Sequence, residues 1–179
     1  MALFPDAKWR GPVPWINSGQ MQHPVQGLVL HIQEGYEDGT DATFHDVNAP
    51  PDKRVSAHFG CPKNVGLDQW VDTNDKAWAI VAGNRHWISV ENEGFTGDSL
   101  TPNQIENCAK LLAWLNATDG VPLVATDDPA GRGLGWHGMG GDAWGGHFDC
   151  PGKPIVSQRP AIIARAQQLV DAAKTSTGP

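Results

Sequence analysis

Apolar residues along this chain follow one period through its first half and another beyond residue 100. Residues 1–26 show neither, because Pro, Gly and polar residues interrupt any repeat, which predicts an irregular lead-in wrapping the domain. The first clear element is GLVLHI, residues 27–32, a short apolar run that reads as a buried strand ending at His31. GYEDGTDATFHDVNAPPDKR follows, and its Asp, Gly, Asn and Pro content predicts a long loop with room for one helical turn. VSAHFGC and LDQWVDT then read as two short strands joined by the turn PKNVG in a hairpin-like arrangement. AWAIVAG and WISVENEGF continue the strand pattern. In the second of these Ile88 and Val90 fall on one face, with Ser89, Glu91 and Glu93 on the other.

The period changes at TPNQIENCAKLLAWLNATDG. Thr101 is placed to cap a helix, Pro102 suits its first position and Gln104 completes a capping box. Apolar residues then recur at Ile105, Cys108 or Ala109, Leu112 and Leu115, a helix of about four turns stopping near Gly120. VPLVAT reads as one more strand, and a glycine-rich stretch follows it. RPAIIARAQQLVDAAK closes the pattern, with Ile162, Ile163, Ala166, Leu169, Val170 and Ala173 on one helical stripe. Strands in the first half covered by two amphipathic helices predict an α/β class with a central mixed sheet. The expected organisation is a lead-in over 1–26, one catalytic domain over 27–174 and the start of a linker at TSTGP, 175–179.

Composition narrows the picture. A chain of 179 residues buries one good core and leaves little for a second domain. A net charge of −7 with scattered Lys and Arg gives no footprint for a phosphate backbone, which argues against nucleic acid as partner. No apolar run is long enough to span a bilayer, and MALFPDAKWRGPVPW lacks the basic-then-apolar pattern of a secretory signal. The expectation is therefore a soluble monomer made in a cytoplasm. The three cysteines, Cys61, Cys108 and Cys150, are too few and too irregular for a disulfide framework. Cys61 ends a strand and Cys108 lies on the helical stripe, so both read as small core residues. Eight tryptophans against one tyrosine leave aromatic surface available for a sugar or peptide cleft, beyond what the core takes.

The chemistry concentrates in WHGMGGDAWGGHFDCPG, residues 136–152. A catalytic zinc site needs three N, S or O ligands and one open position, and such ligands come from converging strand ends and loops. His31 ends a strand, while His137 and Cys150 share a loop able to fold back over it. Spacing alone leaves this open: a strand-end histidine is more often a hydrogen-bonded structural residue, and the cysteine of DCPG reads equally well as a buried small side chain. His23, His45 and His86 read as surface or loop residues.

The joint pattern says more. LVLHIQEG, VSAHF, AWAIVAGNRHWISVENEG, the helix opening TPNQ, and WHGMGGDAWGGHFDCPG occur in the order and at about the separations of the zinc-dependent N-acetylmuramoyl-L-alanine amidases. That family includes peptidoglycan recognition proteins and many endolysin amidase domains. The resemblance spans roughly residues 26–170 and is strongest to phage endolysin catalytic domains, where GGH-x-DCPG is a familiar ending.

The resemblance implies one zinc ion held by His31, His137 and Cys150. Asp149 is the runner-up for the third ligand, though thiolate is the better one, and His147 competes with His137 for the second. It implies an acid or base at Glu91, since Ala57 stands where other members carry a tyrosine; the strand alternation agrees, and Glu93 is the substitute. Members often carry Lys or Thr two residues before the third ligand, where it can stabilise an oxyanion. Phe148 stands there, leaving His147 or His58 to donate, or His58 to orient a ligand from behind. Trp78, Trp87, Trp136 and Trp144 are the candidate walls of a substrate cleft. The implied activity is hydrolysis of the amide between N-acetylmuramic acid and L-alanine in peptidoglycan, after release to the cell wall. The alternatives are a non-catalytic peptidoglycan-binding module and a zinc peptidase cutting within the stem peptide.

Overall fold

The run GLVLHI forms a strand buried along its whole length. The computed structural model describes residues 3–15 and 21–176. Its six strands are β1 (Lys8–Trp9), β2 (Gly27–Ile32), β3 (Phe59–Cys61), β4 (Asp68–Gln69), β5 (Trp87–Asn92) and β6 (Gly133–Trp136), in the spatial order β1-β4-β3-β5-β2-β6. Only β3 and β4 pair antiparallel, so the sheet is mixed, and the α/β class holds. All six residues of β2 are buried because it is flanked on both edges and covered on both faces.

Alternation divides the two faces. Leu28, Leu30, Ile88 and Val90 enter the main core with Leu111, Leu112 and Leu115 of α2 (Pro102–Asp119) and Ile162 and Ala166 of the C-terminal helix (Arg159–Ser176). Val29 and Trp87 point the other way and pack with Ile80 and Trp144. His31, Ser89 and Glu91 share that second face. Cys61 and Cys108 are core residues.

The capping box forms: the Gln104 backbone N–H donates to Thr101 Oγ1 at 3.3 Å and the Thr101 N–H donates to Gln104 Oε1 at 3.0 Å. The Gln104 carboxamide also donates to the Cys61 and Glu93 carbonyls at 3.0 and 2.9 Å, so the cap anchors the helix to the ends of β3 and β5. Gly120 closes α2 with φ 63°. α2 fills the 18 residues between the expected cap and stop, about five turns rather than four.

Several elements depart from expectation. The lead-in carries β1, which lies parallel to β4 at the sheet edge. The loop after β2 holds a nine-residue helix, α1 (Glu37–His45), rather than one turn. A short helix, α3 (Lys153–Ser157), precedes the C-terminal one, which is α4 and continues through Ser176, so the first two residues of TSTGP are helical and 177–179 lie outside the described residues. AWAIVAG is not a strand: Asn84 Oδ1 accepts from the Ala79 and Ile80 N–H groups at 3.0 and 2.7 Å, replacing a strand neighbour, and a 3-10 turn follows. VPLVAT contributes a single bridge, Ala125 to Leu134. The sheet instead takes GLGW as β6, where glycine allows close approach: a Cβ on Gly27 would lie 1.8 Å from the Gly133 oxygen.

Candidate metal centre

Strands β5, β2 and β6 run parallel side by side, so their C-terminal ends meet at one sheet edge, where open α/β sheets place their ligands. Register does the rest. His31 lies directly opposite Glu91, and Leu30 opposite Trp136, so His137, one residue further on, emerges beside His31. The two imidazole centroids are 4.4 Å apart. Asn92, fully buried, donates to the His31 carbonyl at 3.0 Å and ties the two strand ends together.

Cys150 arrives by a different route. The glycine-rich segment leaves β6, turns back, and is fastened where the Gly138 N–H donates to the Cys150 carbonyl at 2.9 Å. The crossing is too close for a side chain, because a Cβ on Gly138 would sit 2.6 Å from the Phe148 carbonyl oxygen. Gly145 and Gly146 make the reversal at φ 96° and 75°. One ligating atom from each of His31, His137 and Cys150 then lies within 4.8 Å of the others.

Donor chemistry and electrostatics fit a soft-to-borderline divalent cation. His137 Nε2 donates to the Trp144 carbonyl at 3.0 Å, which fixes the proton there and leaves Nδ1 with its lone pair. His31 Nε2 is buried without a hydrogen-bond partner. Burial drives both imidazoles to the neutral, ligating form, His31 well below its ordinary range and His137 down to about 4. Burial, then the charge of Glu91, push the Cys150 thiol up to about 12. Burial, then the charges of Glu37 and Glu34, push the Glu91 carboxyl up to about 8. Glu91 Oε1 lies 3.5 Å from His31 Nδ1, and Oε2 is buried with no partner. A thiol and a carboxyl both resisting ionisation beside two neutral imidazoles make a place that a cation would stabilise.

The three donors and Glu91 open into a cleft of about 500 Å³. His147 lines it, exposed, with its ring 4.7 Å from that of His137 but outside the donor cluster. Asp149 lines it as well and is likewise outside the cluster. Phe148 lies at its rim, 58% exposed. Trp78 forms a wall, its backbone held through Ser56.

Other expected residues are elsewhere. His58 does not line the cleft: its Nε2 donates to the Asp75 carbonyl at 3.0 Å and its Nδ1 accepts from the Ser89 N–H at 3.1 Å, so neither nitrogen is left for an oxyanion or a ligand. Trp87 and Trp144 are core residues packed edge-to-face, and Trp136 turns to donate to Asp127 at 2.7 Å. Glu93 accepts from the Lys63 N–H at 2.8 Å, away from the cleft. The sequence reading missed Glu34, Phe44, Val55 and Thr96, which also line the cleft. Phe44 sits on α1, which is longer than the single turn expected, and a helical pattern in DATFH was its only signal. Glu34 carries φ 52°, which no residue-type rule places there.

The sequence profile of N-acetylmuramoyl-L-alanine amidases matches residues 21–153. No curated protein matches the chain. Among solved structures, a selenomethionine AmpD derivative superposes with a TM-score of 0.64 at 20% identity, covering 89% of this chain and 96% of its own. N-acetylmuramoyl-L-alanine amidase LysC from Clostridium intestinale URNW gives 0.59 at 14%, covering 83% and 95%. A mutant endolysin from Bacillus subtilis gives 0.60 at 16%, covering 93% and 99%. At such identities the likeness is one of fold.

Proposed function

The chain belongs to the N-acetylmuramoyl-L-alanine amidase family, and from that premise we propose that it hydrolyses the amide bond between the lactyl group of N-acetylmuramic acid and the L-alanine of the peptidoglycan stem. The observation that carries this is the convergence of His31, His137 and Cys150 donors within 4.8 Å, with Glu91 on the neighbouring strand. These three residues would hold one zinc ion, which supplies a Lewis acid for the scissile carbonyl and positive charge beside the attacking water.

The chain's own residues do the rest. Glu91, with one oxygen unpartnered beside the cleft, takes the proton from the attacking water and returns it to the departing alanine amine. The Trp144 carbonyl holds the His137 proton on Nε2 throughout. The wall of Trp78 and Phe44 orients the glycopeptide and limits water. The Phe148 side chain has no donor for a developing oxyanion, and His147, which lines the cleft, is assigned that contact in this reading. The unit that carries this activity is built on residues 27–174, with the lead-in before them contributing β1 to the same sheet. It acts as a monomer, in the manner of the catalytic domain of a phage endolysin, reaching the wall after synthesis in the host cytoplasm. Among the described residues no helix is long and apolar enough to cross a membrane.

The test is a digest of purified peptidoglycan read by mass spectrometry. Glycan freed from intact stem peptides bearing new L-alanine amino termini is the expected result. Shortened peptides would make the protein a peptidase, and an unchanged wall exposed to folded, zinc-loaded protein would make it a binding module. Glu91→Gln should retain zinc and lose about 10²–10⁴-fold in kcat, the usual contribution of a general base.

A further inference from the structure

Charge around the cleft is one-sided. Among the described residues Glu34, Glu91 and Asp149 line it together with Cys150, and no lysine or arginine does. The groove that continues from it past Gln33, Tyr36 and Thr40, sharing Glu34 and Glu91, has none either. On the flanking elements Lys63 pairs with Asp98 at 2.8 Å, Arg10 pairs with Asp68 at 3.1 Å and Arg54 lies over the Trp15 ring, while Lys76 and Lys153, close in sequence to Trp78 and Cys150, do not line the cleft. A divalent ion on the three donors would be balanced by the Cys150 thiolate and the Glu91 carboxylate, leaving Glu34 and Asp149 uncompensated. Glu34 is fixed in place, its carboxylate accepting from both the backbone N–H and the hydroxyl of Thr96 on the opposite loop.

The substrate class has charge at the matching distance. Beyond the scissile amide comes L-alanine, and the next residue carries an α-carboxyl that some cell walls leave free and others amidate. Two residues of extended chain span about 7 Å, so a cleft of about 500 Å³ receives that group within the field of its own carboxylates. A free carboxylate there meets like charge with no lysine or arginine lining the cleft to receive it, whereas a carboxamide does not and keeps its hydrogen-bonding capacity.

We propose that this cleft selects stem peptides whose second residue is amidated over those in which its carboxylate is free, and that Glu34 and Asp149 set the preference. The proposal rests on the amidase reading above. The probes are N-acetylmuramoyl-L-alanyl-D-isoglutamine and the corresponding D-glutamate compound, identical except for one amide. Titrated calorimetrically at about 50 mM salt, where screening is weak, into zinc-loaded Glu91→Gln protein, in which Glu34 and Asp149 still outweigh the one positive charge left by ion and thiolate, the amide should bind on the order of tenfold tighter. That ratio is about 1.4 kcal/mol, and it should shrink several-fold by about 0.5 M salt. Adding Asp149→Asn should bring the ratio toward unity, and Glu34→Gln further. Should Glu34→Gln fail to fold, the Asp149→Asn arm and the salt series still decide. Equal affinities at low salt, tighter binding of the acid, or a ratio indifferent to both salt and Asp149→Asn would overturn the proposal while leaving the amidase reading intact. Binding of neither probe, with no wall digestion by the wild type, would overturn both.

Discussion

Glu37 is a buried carboxyl outside the reaction, and its burial makes a quantitative demand on stability. It opens α1, is 8% exposed, and lies so close to Gly60 that a Cβ there would come within 2.2 Å of its Oε1. Oε2 accepts from the Gln33 side chain at 2.6 Å, and Oε1 has no partner. Burial pushes its acidity from an ordinary 4.5 to about 8, against the smaller opposing pull of Gln33. A group whose pKa is raised on folding contributes its stability below the unfolded value and loses it as pH climbs through the folded one. The window is therefore pH 4.5 to 8. At 1.36 kcal/mol per pH unit, ionising Glu37 weakens the fold by roughly 3–5 kcal/mol once pH exceeds about 8. Glu37→Gln keeps an acceptor for Gln33 and removes the charge. Urea unfolding of both proteins, under identical metal conditions at pH 5, 7 and 9, should show near-equal stability at pH 5 and the variant ahead by several kcal/mol at pH 9. Parallel stability curves across that range would refute the reasoning, because they would mean that the carboxylate finds water or a cation when it ionises.

Two further outcomes test how the donors are assembled. Cys150→Ala should lose stoichiometric zinc after dialysis, whereas His147→Ala should keep it, as read by atomic emission; zinc kept by the first or lost by the second would break the ligand assignment. Gly138→Ala forces a methyl group against the Phe148 carbonyl and should cost about 1–3 kcal/mol by overpacking, with zinc affinity falling alongside because the same crossing carries Cys150. Thermal unfolding and a competitive zinc titration measure the two effects, and a variant unchanged in both would show that the loop adapts.

What the sequence made legible follows the strength of local rules. Thr101, Pro102, Gln104 and Gly120 each act within one helical turn of themselves, and α2 starts and stops where they predict. The alternation of Ile88 and Val90 against Ser89 and Glu91 survives because β5 is buried on both faces, so a one-residue slip would invert every contact. AWAIVAG and VPLVAT failed for the opposite reason. Their apolar character is real, and Ile80 and Val121 are both buried, yet burial needs no strand when a side chain such as Asn84 satisfies the backbone instead. GLGW failed because glycine, normally evidence for a loop, here serves close packing between strands.

The candidate centre was legible only in part, and the boundary is physical. Residue type left His31, His137 and Cys150 open and the family resemblance singled them out with Glu91; what joins His31, His137 and Glu91 is lateral register across β5, β2 and β6, and what adds Cys150 is the crossing at Gly138, long-range properties that no local period encodes. Two of the four tryptophans expected at the cleft, Trp87 and Trp144, are consumed by the second core that supports the sheet under His31, and Trp136 by Asp127. Large aromatic area serves support and recognition equally well, so composition cannot apportion it. Trp144 shows the two uses joined: its ring packs on Trp87 while its carbonyl orients His137. Shortening that ring would therefore disturb the donor set through packing alone, and the glycines around it are as much a part of the centre as the residues that would touch the ion.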